Sequence, residues 1–405
     1  MEHAVTAESD ADFAEPGRFS GSRLELTGWI ALVGVSGALH FSIAAAQILL
    51  TIALVCWIGL LVTGRERFDV PRFFWMLLAY AGITLISAVF SVDPRASFID
   101  SRQLLLFLIV PLAYRFATGS RALTLTTVVL SCAALSALVG IFQYAILHFD
   151  DLGRRPQGTL GHYMTYSGLL MLVIGVALAR VLFGRGERTW AALVIPALAV
   201  AVALTLSRNA WVGACVAAAL LLSMKDFRLL AVLPIVAAVI FAVAPSIVMA
   251  RFNSIFDLKD PTNRDRLAMS REGAHMIRDH PLAGVGPNMV LRVYPEYRDS
   301  DAVEKLNPHL HNVPLQIAAE RGVPALLIWV WFLGTLTLDL GRLFYAGRQR
   351  FLAAAALAAI ASMLAAGLFE YNFGDSEFLM LFLLIVTLPF AAARSLKADG
   401  LKSEV

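Results

Sequence analysis

Apolar runs of about 15 to 25 residues recur along nearly the whole chain, parted by short polar breaks, and few folds can accommodate that pattern. A helix needs about 20 such residues to cross roughly 30 Å of hydrocarbon, and within lipid only helices and closed barrels leave no backbone group unpaired. Strand-length alternation is absent, which argues against a barrel. The 405 residues are 59% hydrophobic and 16% charged, more apolar and less charged than a soluble domain. The pattern predicts an all-α polytopic membrane protein, with membrane lipids around it and no nucleic-acid partner.

Spans are expected near 26–39, 43–63, 73–90, 103–116, 122–147, 165–183, 189–206, 210–224, 229–249, 314–339, 351–369 and 377–394. This gives a cytoplasmic tail over 1–22, nine transmembrane helices over 23–249, a loop domain over 250–313, three more helices over 314–394 and a second tail over 395–405. Residues 1–22 lack the apolar core of a cleaved signal, so the first helix is expected to do the targeting. The breaks GRERFDVPR (64–72), ATGSR (117–121), GRGER (184–188), KDFR (225–228) and GRLFYAGRQR (341–350) all carry Arg or Lys, while 40–42 and 370–376 carry none. That asymmetry places both termini in the cytoplasm. The three cysteines, Cys56, Cys132 and Cys215, all lie in apolar runs and carry no visible chemistry.

The segment 250–313 is the one sizeable extramembrane piece. TNRDRLAMSREGAHMIR (262–278) has an amphipathic rhythm, with Leu267, Ser270, Ala274 and Ile277 on one face and Arg264, Ala268, Arg271, His275 and Arg278 on another. It reads as a basic helix beside a membrane surface. A turn is expected at DHPLAGVGPN (279–288).

NPHLHN (307–312) then puts His309 and His311 at a membrane boundary. Pro308 and Pro314 disfavour a helix interior, so the pair falls in a turn leading into the next helix. A neutral imidazole there can accept a proton from a hydroxyl; the same residues could instead anchor the helix at the interface. No third ligand with metal spacing accompanies them, and no metal or other cofactor is expected. Arg208, in TLSRNAWVG, lies between two apolar runs, where a guanidinium needs a cavity, a phosphate or a carboxylate unless it snorkels to the headgroups. Arg264 and Arg266 begin the loop helix, where the helix end also favours an anion. Forked donors on converging segments suit a diphosphate better than a lone carboxylate. RRPQGTLGHYM (154–164) adds Arg154, Arg155 and His162 at the same side, and Glu370 and Asp375 in FEYNFGDSE mark the last outer turn, where helix capping is the simpler role.

His311, Asn312, Leu315, Gln316, Glu320 and Gly322, in that spacing, resemble the signature of the superfamily of O-antigen ligases, O-antigen polymerases and protein O-oligosaccharyltransferases. SRNAWVG (207–213), Arg266-Leu267 and HPLAGVGPN (280–288) precede it in the family's order, so the resemblance covers about 200 to 394 by motif, with RPQGT (155–159) and helix count before that. It implies a GT-C type glycosyltransferase fold with about twelve transmembrane helices and a periplasmic loop domain. The implied enzyme works without metal and with inversion in lipopolysaccharide biosynthesis. It moves a glycan from undecaprenyl diphosphate to a sugar hydroxyl of the lipid A core at the periplasmic face of the bacterial inner membrane. Carried onto this sequence, His311 takes the base role and Arg208 and Arg266 the diphosphate. Arg264 and His309 are second choices, and Asn312, Arg155 and Glu370 are supporting ones. Protein O-oligosaccharyltransferases tend to carry further sequence after the last helix; LKADGLKSEV follows it here, which favours ligase or polymerase. A lipid-linked glycan transporter is the alternative from another class; it would need charges at mid-membrane depth and an inverted repeat, and neither is visible.

Overall fold

Helices stand on each apolar stretch that the sequence singles out, in a computed structural model that describes residues 22–64, 68–186, 188–347 and 349–402. In chain order they are α1 (Arg23–Ala38), α2 (Ile43–Val62), α3 (Phe73–Val89), α4 (Pro94–Asp100), α5 (Ile109–Phe116), α6 (Arg121–Ala145), α7 (Tyr163–Phe183), α8 (Arg188–Leu204), α9 (Arg208–Lys225), α10 (Val232–Val243), α11 (Ser246–Asn253), α12 (Pro261–Asp279), α13 (Val290–Tyr297), α14 (Val313–Tyr345), α15 (Arg350–Gly367) and α16 (Ser376–Lys402). A 3-10 segment, Ser101–Leu108, joins α4 to α5. Among the described residues, seven helical stretches are long and apolar enough to cross a membrane: α2, α4 through α5, α6, α7, α14, α15 and α16 as far as Arg394. The protein is thus all-helical and polytopic. The other expected crossings fall on α1, α3, α8, α9 and the Phe227–Ile240 stretch, which are shorter or carry charge at their ends. The expected tail over 1–22 lies outside the described residues except for Ser22, which caps α1; α16 continues as far as Lys402.

The centre of the bundle is α7, α15 and α16. Helix α15 is largely alanine, and its small side chains let neighbouring backbones come close, which is how helices associate where lipid offers no hydrophobic drive. At one end of the bundle, basic residues meet acids and aromatic rings: Arg121 pairs with Glu25 at 3.1 Å, Arg394 pairs with Asp69 at 3.2 Å, and Arg350 lies 4.8 Å from the ring centre of Phe344. At the other end the turns are tied to one another. Thr159 donates to the carbonyl of Phe41 at 2.9 Å, Ser136 to that of His40 at 3.2 Å, and the Val92 N–H to that of Val285 at 3.1 Å.

The segment between α11 and α14 sits at this second end and has a small core of its own, built on Met269, Met276, Met289, Val290, Val293 and Tyr294. Helix α12 begins at Pro261 with Asp260 as its cap, and the faces read from its sequence are not the ones it uses. Leu267, Ser270 and Ala274 are exposed, whereas Asp265, Ala268, Met269, Glu272, Gly273 and Met276 are buried. The reason is that the buried acids have backbone to hold. Asp265 accepts from the N–H groups of Val303 and Glu304, both at 3.1 Å, and Glu272 from that of Asp299 at 2.8 Å. Two carboxylates that look like a solvated face therefore clamp the loop beneath.

Helix α14 is broken where the family-like motif ends. Gly322 has φ +82°, and Pro324 has no N–H to offer the carbonyl of Glu320. The carbonyls freed by that break are taken by the HPLAGVG segment: Val285 N–H bonds to Ala319 O and Gly286 N–H to Glu320 O, both at 2.9 Å, and Val323 N–H bonds to Pro281 O at 2.8 Å. Ser87 of α3 bonds the carbonyls of Ala283 and Glu320 at 2.6 and 2.9 Å. The loop domain is thereby locked onto the transmembrane part at the break in the helix that follows the histidines.

Candidate functional site

His309 to Asn312 is held at both ends. The N–H of Leu310 donates to Gln316 Oε1 at 2.6 Å, and Asn312 caps α14 by accepting from the Leu315 N–H at 2.9 Å while its amide donates to Leu368 O at 3.1 Å. Between these anchors His311 has φ +48°, a left-handed conformation that a non-glycine residue adopts only where its surroundings impose it. Asn312, expected among the supporting residues, thus acts through the backbone that carries His311.

The two imidazole rings are 4.2 Å apart, centre to centre, and share one carboxylate. His311 Nδ1 lies 2.8 Å from Glu370 Oε2, and His309 Nε2 lies 3.2 Å from Glu370 Oε1. Capping was the simpler expectation for Glu370, and it holds for Asp375, which accepts from the Phe378 N–H at 2.9 Å, but Glu370 instead orients both histidines. With Nδ1–H of His311 directed at a carboxylate, its Nε2 is left as the acceptor. Burial alone would raise the Glu370 carboxyl; attraction to His311 and the hydrogen bonds from both rings outweigh burial and hold it well below the usual carboxylate range. One ligand atom from each of His309, His311 and Glu370 lies within 4.8 Å of the others, so among the described residues this group could close on a metal ion. As they stand, each oxygen is occupied by an imidazole.

Arginines gather beside this triad. Arg208, buried at the start of α9, donates to Ser254 O at 2.9 Å and to Asp260 Oδ1 at 3.3 Å; of the expected alternatives for this depth, a carboxylate partner is the one present. Arg251 of α11 reaches the other oxygen of Asp260 at 3.7 Å. Burial, then repulsion from Arg208 and Arg155, partly offset by Asp260, pulls the Arg251 guanidinium down to about 10. Arg266 is lowered too, by burial first, with Glu370 opposing that shift and Arg208 reinforcing it. Its Nε is buried with no hydrogen-bond partner. Arg155 lies over the Tyr163 ring at 4.2 Å and is also lowered by burial. Arg155 and Arg266 make no salt bridge among the described residues, so the cluster holds more positive charge than its carboxylates answer. An anion is what such a cluster is built to receive.

Of each close pair left open by the sequence, Arg266 faces the cluster, while Arg264 is exposed. The sequence did not single out Arg251, Asp260 or Tyr163. Arg251 is a lone arginine at the border of an apolar run, the same signal that marked Arg208, and Asp260-Pro261 is a helix-start signal. A cavity of about 220 Å³ adjoins the triad, with His309, Glu370, Asn209, Tyr371 and Asp375 in its wall.

No curated protein matches the chain. The O-antigen ligase family model matches residues 191–330, about a third of the chain, and this stretch holds Arg208, Arg251, Asp260, Arg266, His309 and His311; over it the chain is similar to that family.

Proposed function

We propose that the protein is an O-antigen ligase of the bacterial inner membrane, acting at its periplasmic face. It would transfer a glycan from undecaprenyl diphosphate to a sugar hydroxyl of the lipid A core, within a GT-C type fold of about twelve crossing helices. The observation that supports this reading is the clustering of Arg155, Arg208, Arg251 and Arg266, with Arg266 within electrostatic reach of the Glu370 that holds the histidine pair. An anion site beside an oriented base is what displacement of a diphosphate by a hydroxyl requires.

The steps balance without an external energy source. The acceptor oxygen bonds to the anomeric carbon of the donor as the bond from that carbon to the phosphate oxygen breaks. The electron pair leaves with the diphosphate, where the guanidinium groups meet the added negative charge. The hydroxyl proton passes to Nε2 of His311, whose Nδ1–H is fixed by Glu370. Attack opposite the leaving group inverts the anomeric centre. Arginines take the part that a divalent cation often plays on a leaving diphosphate, so the reaction is proposed to be metal-independent.

The test is an assay of purified protein with a lipid-linked donor and either lipid A core or a second donor molecule. Glycan on the core is the expected product. Growth on the carrier instead makes the protein a polymerase, and no transfer to either acceptor defeats the ligase and polymerase readings together.

A further inference from the structure

The cavity beside the triad, about 220 Å³, is large enough to take one sugar ring. Asn209 lines it, is only 7% exposed, and forms no hydrogen bond with another described residue. A nearly buried side-chain amide that offers two donors and an acceptor, and uses none of them on another described residue, is free to bond a ligand. Asn372, also 7% exposed and in the same wall, donates its amide to Met363 O at 3.3 Å and keeps Oδ1 without a partner. Tyr371 and Phe378 give the cavity apolar faces, as the C–H side of a pyranose requires. Two carboxylates, Asp375 and Glu370, border the space and would repel a sugar acid.

We propose that this cavity is the subsite for one neutral pyranose, the sugar bonded directly to the diphosphate of the donor, and that Asn209 is a specificity-determining residue for it. This rests on the donor reading given above. Position favours the donor's sugar over the acceptor's. Arg208 and Asn209 both lie on the first turn of α9, Arg208 turned to Asp260 and Asn209 to the cavity, so the anion cluster and the cavity adjoin the same helix start. His309 and Glu370 belong to the same lining, which brings the anomeric carbon of that sugar next to the triad.

The test uses purified full-length protein and short-chain polyprenyl diphosphates carrying one neutral hexose, the same hexose lacking one ring hydroxyl, or a hexuronic acid, with the bare polyprenyl diphosphate as competitor. Wild type is expected to prefer the hexose over the best-discriminated deoxy analogue and over the uronic acid by about tenfold or more, because a site built to bond a hydroxyl rejects its absence. Asn209→Ala, and the near-isosteric Asn209→Leu should the first fail to fold, are expected to raise KM for the hexosyl donor about tenfold. They should erase the discrimination between hydroxyl and deoxy donors, leaving KM for the acceptor and inhibition by the bare diphosphate unchanged. Unaltered discrimination in both variants overturns the proposal, as does a change in acceptor KM in place of donor KM. Failure of the bare diphosphate to compete in wild type is the separate sign that the donor reading itself is wrong.

Discussion

His311 Nδ1 and Glu370 Oε2 are 2.8 Å apart across 59 positions of the chain. The bond leaves Nε2 of His311 as the group able to take a proton, and the shared carboxylate ties His309 to the same task at 3.2 Å. His311→Ala is expected to lower kcat by about 10²- to 10⁴-fold, the usual range for loss of a general base, and Glu370→Gln by about 10²-fold with donor KM nearly unchanged. His309→Ala should cost less than either. Rates measured with purified protein at saturating donor decide this; the reverse order for the two histidines would transfer the base role to His309.

The arginine cluster should act on donor binding. Arg251→Ala and Arg266→Ala are each expected to lower kcat/KM for the donor by about 10²-fold, the scale for removing one donor from a developing anion. Arg264→Ala should stay within about twofold, since its side chain is exposed and outside the cluster. Competition by a bare polyprenyl diphosphate reads the same difference without turnover. Equal effects of Arg264 and Arg266 would mean that α12 presents a different face to the donor.

A different sort of charge requirement can be tested by chelation. If guanidinium groups alone balance the leaving diphosphate, then dialysis against a strong chelator leaves the rate within about twofold. A loss restored by added divalent cation would point instead to an ion held by His309, His311 and Glu370, whose donor atoms lie within 4.8 Å of one another.

These residues differ in how plainly the sequence marks them. Arg208, His309, His311 and Glu370 stand out because each is polar beside an apolar run, Arg266 by its place at the start of the loop helix, and every long run became a helix because lipid permits little else. Arg251 carries the same mark yet matters only through Asp260 and Arg208, and pairing across the fold leaves no local pattern. Helix α12 shows the limit of periodicity: its rhythm is real, but Asp265 and Glu272 are buried because backbone N–H groups of a distant loop need acceptors. HPLAGVG was legible as a turn; its docking on the Gly322 break was not, because that depends on carbonyls a proline residue leaves free elsewhere.

Gly284 tests that docking. Its φ is +68°, and a Cβ there would come within 2.2 Å of the carbonyl carbon of Glu320. Gly284→Ala combines a left-handed backbone penalty of about 1–2 kcal/mol with overlap against backbone that cannot swing aside. The expected result is a lower melting temperature in detergent, faster proteolysis within 260–310 and loss of transfer, since the segment carrying His311 loses its support. A variant with wild-type melting and activity would show that the loop does not depend on this contact.

The depressed Glu370 carboxyl also fixes how the triad should respond to pH. A carboxylate whose folded value lies below its ordinary 4.5 contributes stability that is fully present above 4.5 and is lost as the pH falls through the lower, folded value. The melting difference between wild type and Glu370→Gln should therefore favour wild type and stay flat from neutral pH down to about 5 as far as this group is concerned. It should narrow only below the ordinary carboxylate value, as protons begin to bind the unfolded chain in preference. A difference that shrinks already between pH 7 and 5 would overturn this account of the carboxylate. Melting curves of the two proteins in the same detergent across that range distinguish the cases, and the acid limb of the transfer rate measured alongside tells whether the same groups govern catalysis.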